Sequence, residues 1–174
     1  RNSYRLPKTV NDSVNQVLSI FITSMKALEA QIKEFDKAIK TQMELLPNVL
    51  ISIPCIEPVY SAGIMVRIGD INRFENQAQL AKYAGLAWKR HQSGGFEAET
   101  TSLIHSGNRF LKFYLCEAAL SLVRRDKEYS DFYHLKYKEV NKFQHKRALA
   151  LTARKLVRLV FQLLKNNRLY CSAP

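Results

Sequence analysis

The sequence predicts a mainly α protein. A long coiled-coil-like helix leads into a compact helical domain that holds a helix-hairpin-helix-like segment and one short loop or β-hairpin region. Three observations predict this. Apolar residues recur at Val14, Leu18, Phe21, Met25, Leu28, Ile32, Phe35 and Ile39, in alternating steps of four and three. All six glycines and three of the five prolines fall between Pro47 and Gly107, so turns concentrate there. Beyond Gly107 the chain reads as three helices, roughly Asn108–Arg125, Tyr129–Val140 and His145–Asn166.

The first element is a heptad seam, completed by Leu46 after a gap at Gln42. So narrow an apolar stripe cannot bury itself, and it calls for a second helix in this chain or in another copy. An amphipathic helix lying on the domain is the alternative. Asp12 or Ser13 is the expected cap and Pro47 the expected stop. Charge divides at the same place. Residues 1–48 carry seven basic and five acidic groups, net +2, and residues 49–174 carry twenty and ten, net +10. The expected division is therefore an arm, 1–48, and a basic domain, 49–174.

At 174 residues, 47% of them hydrophobic and 24% charged, the chain suits one globular domain with an extended appendage. A disordered chain, a fibrous chain and a complete multi-domain enzyme are all poor fits. The opening RNSYRLPKTV has neither a leading methionine nor a signal-peptide pattern, and the chain reads as part of something longer. No stretch approaches the roughly 20 apolar residues that cross a bilayer, so no membrane partner is expected. Cys55, Cys116 and Cys171 lack the spacing of a disulfide framework or a zinc site, and a reducing compartment follows. The net charge of +12 points to a polyanionic partner.

That charge sits mostly late in the chain, where residues 105–174 carry fifteen basic and five acidic groups. Arg147, Arg154, Arg158 and Lys165 are spaced seven, four and seven apart. At 100° per residue they fall within about 20° of one line on the last helix. Such a stripe can follow a phosphate backbone, with an affinity that falls by about 0.9 log unit per log unit of salt for each phosphate neutralised on duplex DNA. A solvated helix face is the bland reading. Phe110, Phe113 and Tyr114 share a helix with Leu111, Leu115 and Leu120 and are expected in the core.

Residues 51–69, ISIPCIEPVYSAGIMVRIG, have the layout of a helix-hairpin-helix, in which turn glycines let backbone N–H groups approach a phosphate. Here Cys55 and Glu57 stand where those glycines would be, and a carboxylate repels phosphate. From Trp88 the run WKRHQSGGFEAETTSLI reads as a loop or short hairpin around Gly94 and Gly95. Glu97 and Glu99 share a face if this is a strand, but exposed glutamates in a loop are usually only solvated. The histidines at 91, 105, 134 and 145 lack metal-ligand spacing; His91 stands out only for preceding Ser93 by two residues.

The ordered motifs IGDINRF, QLAKYAGL, the SGG turn and GNRFLK, with the basic last helix, resemble the C-terminal transposase domain of the insertion sequence 110/116/902 family over about residues 50–168. The seam in residues 14–46 resembles the coiled-coil arm that precedes that domain. The family's pattern implies a DEDD-type transposase: an N-terminal RuvC-like nuclease domain holding divalent magnesium, then the arm, then this domain. It implies serine-based DNA recombination guided by a structured RNA and a location in the bacterial cytoplasm at the nucleoid; the seam, and the need for more than one active site to cut several strands, add the expectation of a homo-oligomer joined through the arm. The family's serine maps onto Ser93, with Lys89, Arg90 and Arg109 as the nearest cations by motif. The isolated piece is expected to be inactive and to hold no metal itself.

Three features depart from the pattern. PCIEP replaces the common PGIGP; FEAETTSL is acidic where relatives tend to be basic; and Ser106 precedes GNR where relatives usually carry a basic residue. Ser102 and Ser106 compete with Ser93 as nucleophiles. The alternative to an enzyme is a non-catalytic DNA- or RNA-binding module dimerised by its coiled coil.

Overall fold

The computed structural model describes residues 7–54, 56–88, 92–93, 96–97 and 102–171; for residues 8, 9, 11, 92, 93, 96 and 97 it describes the backbone alone. The architecture is mainly α, and the chain divides into two compact units, Arg1–Gln42 and Met43–Pro174.

The first unit is built on helix α1, Lys8–Glu44, whose 37 residues rise about 55 Å. Phe21, Met25, Leu28, Ile32 and Phe35 are each more than half exposed, so the seam lies open along the helix. The helix starts four residues before Asp12, which corrects the expected cap at Asp12 or Ser13. Nothing in Lys8–Asn11 breaks a helix, and Pro7 is tolerated just ahead of a first turn whose N–H groups are unpaired anyway. The helix also stops at Glu44, ahead of Pro47.

In the second unit a single 3-10 turn, Val49–Ser52, stands where an α-helix was expected before the Pro-containing turn. Asn48 caps it: its Oδ1 accepts from Leu50 N at 3.1 Å and from the buried Ser61 hydroxyl at 2.8 Å, pinning the turn to the helix that follows. Helix α2 is Pro58–Ile68, with proline at its first position, and α3 is Gln77–Tyr83, capped by Asn76.

After the Gly-rich excursion come α4, Arg109–Arg125; α5, Lys127–Lys138; and α6, Gln144–Asn166. Asp126 closes α4 and also caps α5, its carboxylate accepting from Tyr129 N at 3.0 Å. A one-residue connection results, and it makes α4 and α5 neighbours.

Helix α6 is the centre of the domain. It packs on α3, α4, α5, the 3-10 turn Val49–Ser52 and a second 3-10 turn, Ile71–Arg73, and α2 packs on α4. Ala153, Leu156, Val157 and Val160 supply its inner face, against Leu111, Leu115, Ala118, Ala119 and Leu122 of α4 and Leu80 of α3 in one core cluster. Each large aliphatic side chain so buried is worth roughly 1.5–3 kcal/mol, and the alanines let the helix axes approach. The buried Thr152 hydroxyl donates to Ala148 O at 2.8 Å, so no polar group is stranded there. The helix ends on Asn167 in the left-handed conformation, with Asn167 N and Arg168 N both donating to Leu163 O.

Two expected core residues are not in the core. Phe110 is 45% exposed and Phe113 54%, while Tyr114 is partly buried. Leu111, Leu115, Ala118 and Leu122 already occupy the inward face of α4, and residues 110 and 113 fall outside it.

Candidate functional site

The segment that carries Ser93 leaves and re-enters the helical domain through one crossing. Gly85 has φ +71 and Gly107 φ +129, and a Cβ on Gly107 would sit 2.5 Å from Gly85 N. Only glycine at both positions lets the outgoing and returning chains pass so closely. Just beyond the crossing, Ile104 N donates to Ala87 O at 2.9 Å, and Trp88 and Leu103 form an antiparallel bridge. At the far end β1, Gln92–Ser93, pairs antiparallel with β2, Phe96–Glu97, with Gln92 opposite Glu97 and Ser93 opposite Phe96. Ser93 therefore ends β1, the outgoing strand of this antiparallel pair. Its backbone is placed; its side chain, and Lys89, Arg90, His91, Gly94, Gly95 and Glu99, lie outside the described residues, as does Cys55.

The return limb feeds α4 through Asn108. Its Oδ1 accepts from Phe110 N and Leu111 N at 3.1 and 3.0 Å, its backbone N donates to Tyr83 O, and its Nδ2 donates to the Tyr83 hydroxyl at 3.2 Å. One side chain thus caps α4 and ties it to the end of α3. The Asn108 bond, then Arg73, pull the Tyr83 phenol below its ordinary range. Asn108→Ala is expected to cost about 1–2 kcal/mol of stability, read as a lower urea midpoint at unchanged slope.

The expected cations separate into distinct settings. Arg154 donates from Nη1 to Leu86 O at 2.7 Å and lies 5.8 Å from the centre of the Trp88 ring, so it braces the root of the hairpin. Burial, and next the charge of Arg158, push its guanidinium below the ordinary value. Arg158 is exposed and has no partner among the described residues. Arg147 is 2.9 Å from Glu139, whose carboxyl is held below its usual range by hydrogen bonds from Lys136 first and Arg147 second. Lys165 donates to Asn72 Oδ1 at 2.9 Å. Three of the four stripe cations on α6 thus have partners inside the domain, and Arg158 alone faces outward unengaged.

Arg109, at the start of α4, lies in a cluster with no counterpart in the sequence reading. Its guanidinium is 4.8 Å from the Phe110 ring centre, and that of Arg67 is 4.7 Å away. Arg73 sits 4.6 Å from both the Phe74 and Tyr83 rings. None of the three arginines has a carboxylate partner among the described residues. Stacking on rings holds guanidiniums in place while leaving their N–H edges open to an anion.

Ser102 and Ser106 are both exposed. His134 accompanies Ser130 O, and His145 lies 2.7 Å from the Tyr133 hydroxyl. Burial raises the Cys116 thiol, which makes it a poor nucleophile. Among the described residues no three or more His, Cys, Asp or Glu side chains converge, so these residues do not fit a metal ion. No helix of the described residues is long and apolar enough to cross a membrane.

Fold and site together define a helical domain that projects a serine-bearing hairpin from a root braced by arginine and presents unpaired cations on its surface. The chain belongs to the family described as transposase IS116/IS110/IS902, whose model matches residues 48–134, half of the sequence. It is 27% identical over 175 residues to the insertion element IS116 uncharacterized 44.8 kDa protein of Streptomyces clavuligerus, covering 98% of this chain and 40% of that protein. It is 24% identical over 164 residues to the transposase for insertion sequence element IS1111A of Coxiella burnetii, covering 92% of this chain and 45% of that one. It is 30% identical over 122 residues to the pilin gene-inverting protein of Moraxella bovis, covering 70% of this chain and 37% of that one. The chain therefore spans less than half the length of these relatives.

Proposed function

We propose that this chain is the arm and C-terminal domain of an insertion-sequence transposase that cuts and transfers DNA strands through a phosphoserine intermediate at Ser93. The observation that carries the reading is that the family match encloses a hairpin with a serine in its outgoing strand, rooted on Arg154. The Ser93 oxygen attacks a backbone phosphorus and an O–P bond forms. The bond to the adjacent nucleotide's oxygen breaks, the serine proton passes to a base, and the leaving oxygen takes up a proton as a free hydroxyl. The ester conserves the bond energy, so an incoming strand hydroxyl can reverse the step and join a new strand. Lys89, Arg90 and Arg109 neutralise charge developing on phosphorus. Outward-facing Arg158 and the stacked Arg67 and Arg73 grip backbone phosphates, which position DNA without reading its sequence.

The remaining parts belong to the longer parent. A structured guide RNA would supply target choice, and magnesium chemistry would come from a nuclease domain outside this chain. The open seam of α1 would join copies, since cutting several strands needs more than one active site.

A serine scan tests the reading. In a strand-transfer assay with the full-length parent, Ser93→Ala should fail while Ser102→Ala and Ser106→Ala work. If all three remain active, the non-catalytic binding module is the better description.

A further inference from the structure

Two open clefts meet at a wall shared by Trp88 and Leu151. One, of about 510 Å³, is lined by Phe132, Arg154, Lys155 and Arg158; the other, of about 1030 Å³, by Lys142, Phe143, Lys146 and Arg147. Both volumes reach the range of ligand-binding clefts. The one carboxylate in either lining, Glu139, is already engaged by Lys136 and Arg147, and Lys155 is paired with Glu128. Lys142, Lys146 and Arg158 have no ion pair or hydrogen bond among the described residues. Among the described residues the trough is therefore an uncompensated positive surface interrupted by aromatic rings.

Phe143 makes the case sharper. It stands at the N-cap of α6 with φ 52 and ψ 30, a left-handed conformation that a bulky residue adopts only at a cost of order 1–3 kcal/mol. The residue is also 78% exposed. Neither backbone preference nor burial accounts for phenylalanine there, whereas asparagine or glycine would serve the fold better.

We propose that this trough binds unpaired DNA, with bases stacking on Trp88 and Phe143 and phosphates meeting Lys142, Lys146 and Arg158. The inference rests on the transposase reading and deepens it. Cleft-lining rings, Phe143 exposed and Trp88 half-buried, beside cations unpaired among the described residues suit a single strand, whose bases have free faces. A duplex offers only base edges in its grooves. Trp88 precedes Ser93 by five residues on the same limb of the excursion, so a base held there would anchor the strand that feeds the hairpin.

Trp88 is the sole tryptophan of the chain, so its fluorescence reports this site and no other. A 12-nucleotide single strand titrated into the 174-residue chain is expected to quench it. The matching duplex, polyglutamate and an abasic strand of equal charge should not. Phe143→Asn, which suits the left-handed backbone, should weaken the single strand about tenfold while thermal stability holds or rises. Equal quenching by the abasic strand, unchanged affinity in Phe143→Asn, or an RNA strand binding tenfold tighter than DNA would each overturn the proposal. Ser93 plays no part in this readout. The Ser93→Ala chain should quench like the parent, so the trough and the nucleophile can fail separately.

Discussion

The full-length parent carrying Ser93→Ala is expected to lose DNA strand transfer by a factor on the order of 10⁴ or more, while its DNA affinity stays within about twofold. The size follows from the role. Removing a nucleophile that works with other groups abolishes the step they share, leaving only what positioning and charge contribute. Affinity is spared because phosphate-gripping cations dominate binding to a polyanion, and a single hydroxyl adds little. The converse holds for Arg158→Glu, which leaves the nucleophile intact and lowers both affinity and its salt dependence. A Ser93→Ala protein that lost affinity and transfer together would point to a fold defect in the hairpin.

Gly107→Ala is expected to destabilise the domain by about 3 kcal/mol or more and to lower its melting temperature by about 10 °C. A new Cβ would meet Gly85 N at 2.5 Å, Gly85 Cα at 2.7 Å and Tyr83 O at 3.0 Å, all of them backbone atoms. The φ of +129 adds conformational strain that no L side chain escapes. Relief would require the two limbs of the excursion to separate. That pulls against the Asn108 N to Tyr83 O bond and the Ile104 to Ala87 bond that set the hairpin root. Gly69→Ala is the control: its φ is +62 and ψ −127, but a Cβ there meets nothing within 4 Å, so it should cost only the backbone strain, about 1–3 kcal/mol. Thermal melts of the two variants separate steric crossing from backbone strain.

Much of the helical architecture was legible because it is local. The three late helices follow from 3.6-residue periodicity, and their ends fall within two residues of the expected ones, since Asn108 and Asp126 are strong stop-and-start residues. What was hidden depends on contacts distant in sequence. The cations of α6 line up on a helical wheel, yet Arg154 is bound to a carbonyl 68 residues away and Lys165 to a side chain 93 residues away. Periodicity cannot tell an engaged cation from a free one. Phe110 and Phe113 misled for a related reason: hydrophobicity placed them inside, whereas arginines from two helices cover the exposed ring of Phe110. Trp88 and Phe143 gave no signal at all. Their cleft exists only once α6 packs beside the root of the hairpin, and a left-handed phenylalanine has no sequence signature.

The central claim is a covalent bond, and the most direct measurement is its location. The full-length parent is incubated with its DNA, denatured and digested with nuclease and protease, and the nucleotide-bearing peptide is identified by mass spectrometry. The account predicts a phosphodiester-linked nucleotide on Ser93, absent from Ser93→Ala. An adduct on Ser102, Ser106 or a tyrosine, or efficient strand transfer with no adduct at any point in the time course, would contradict it.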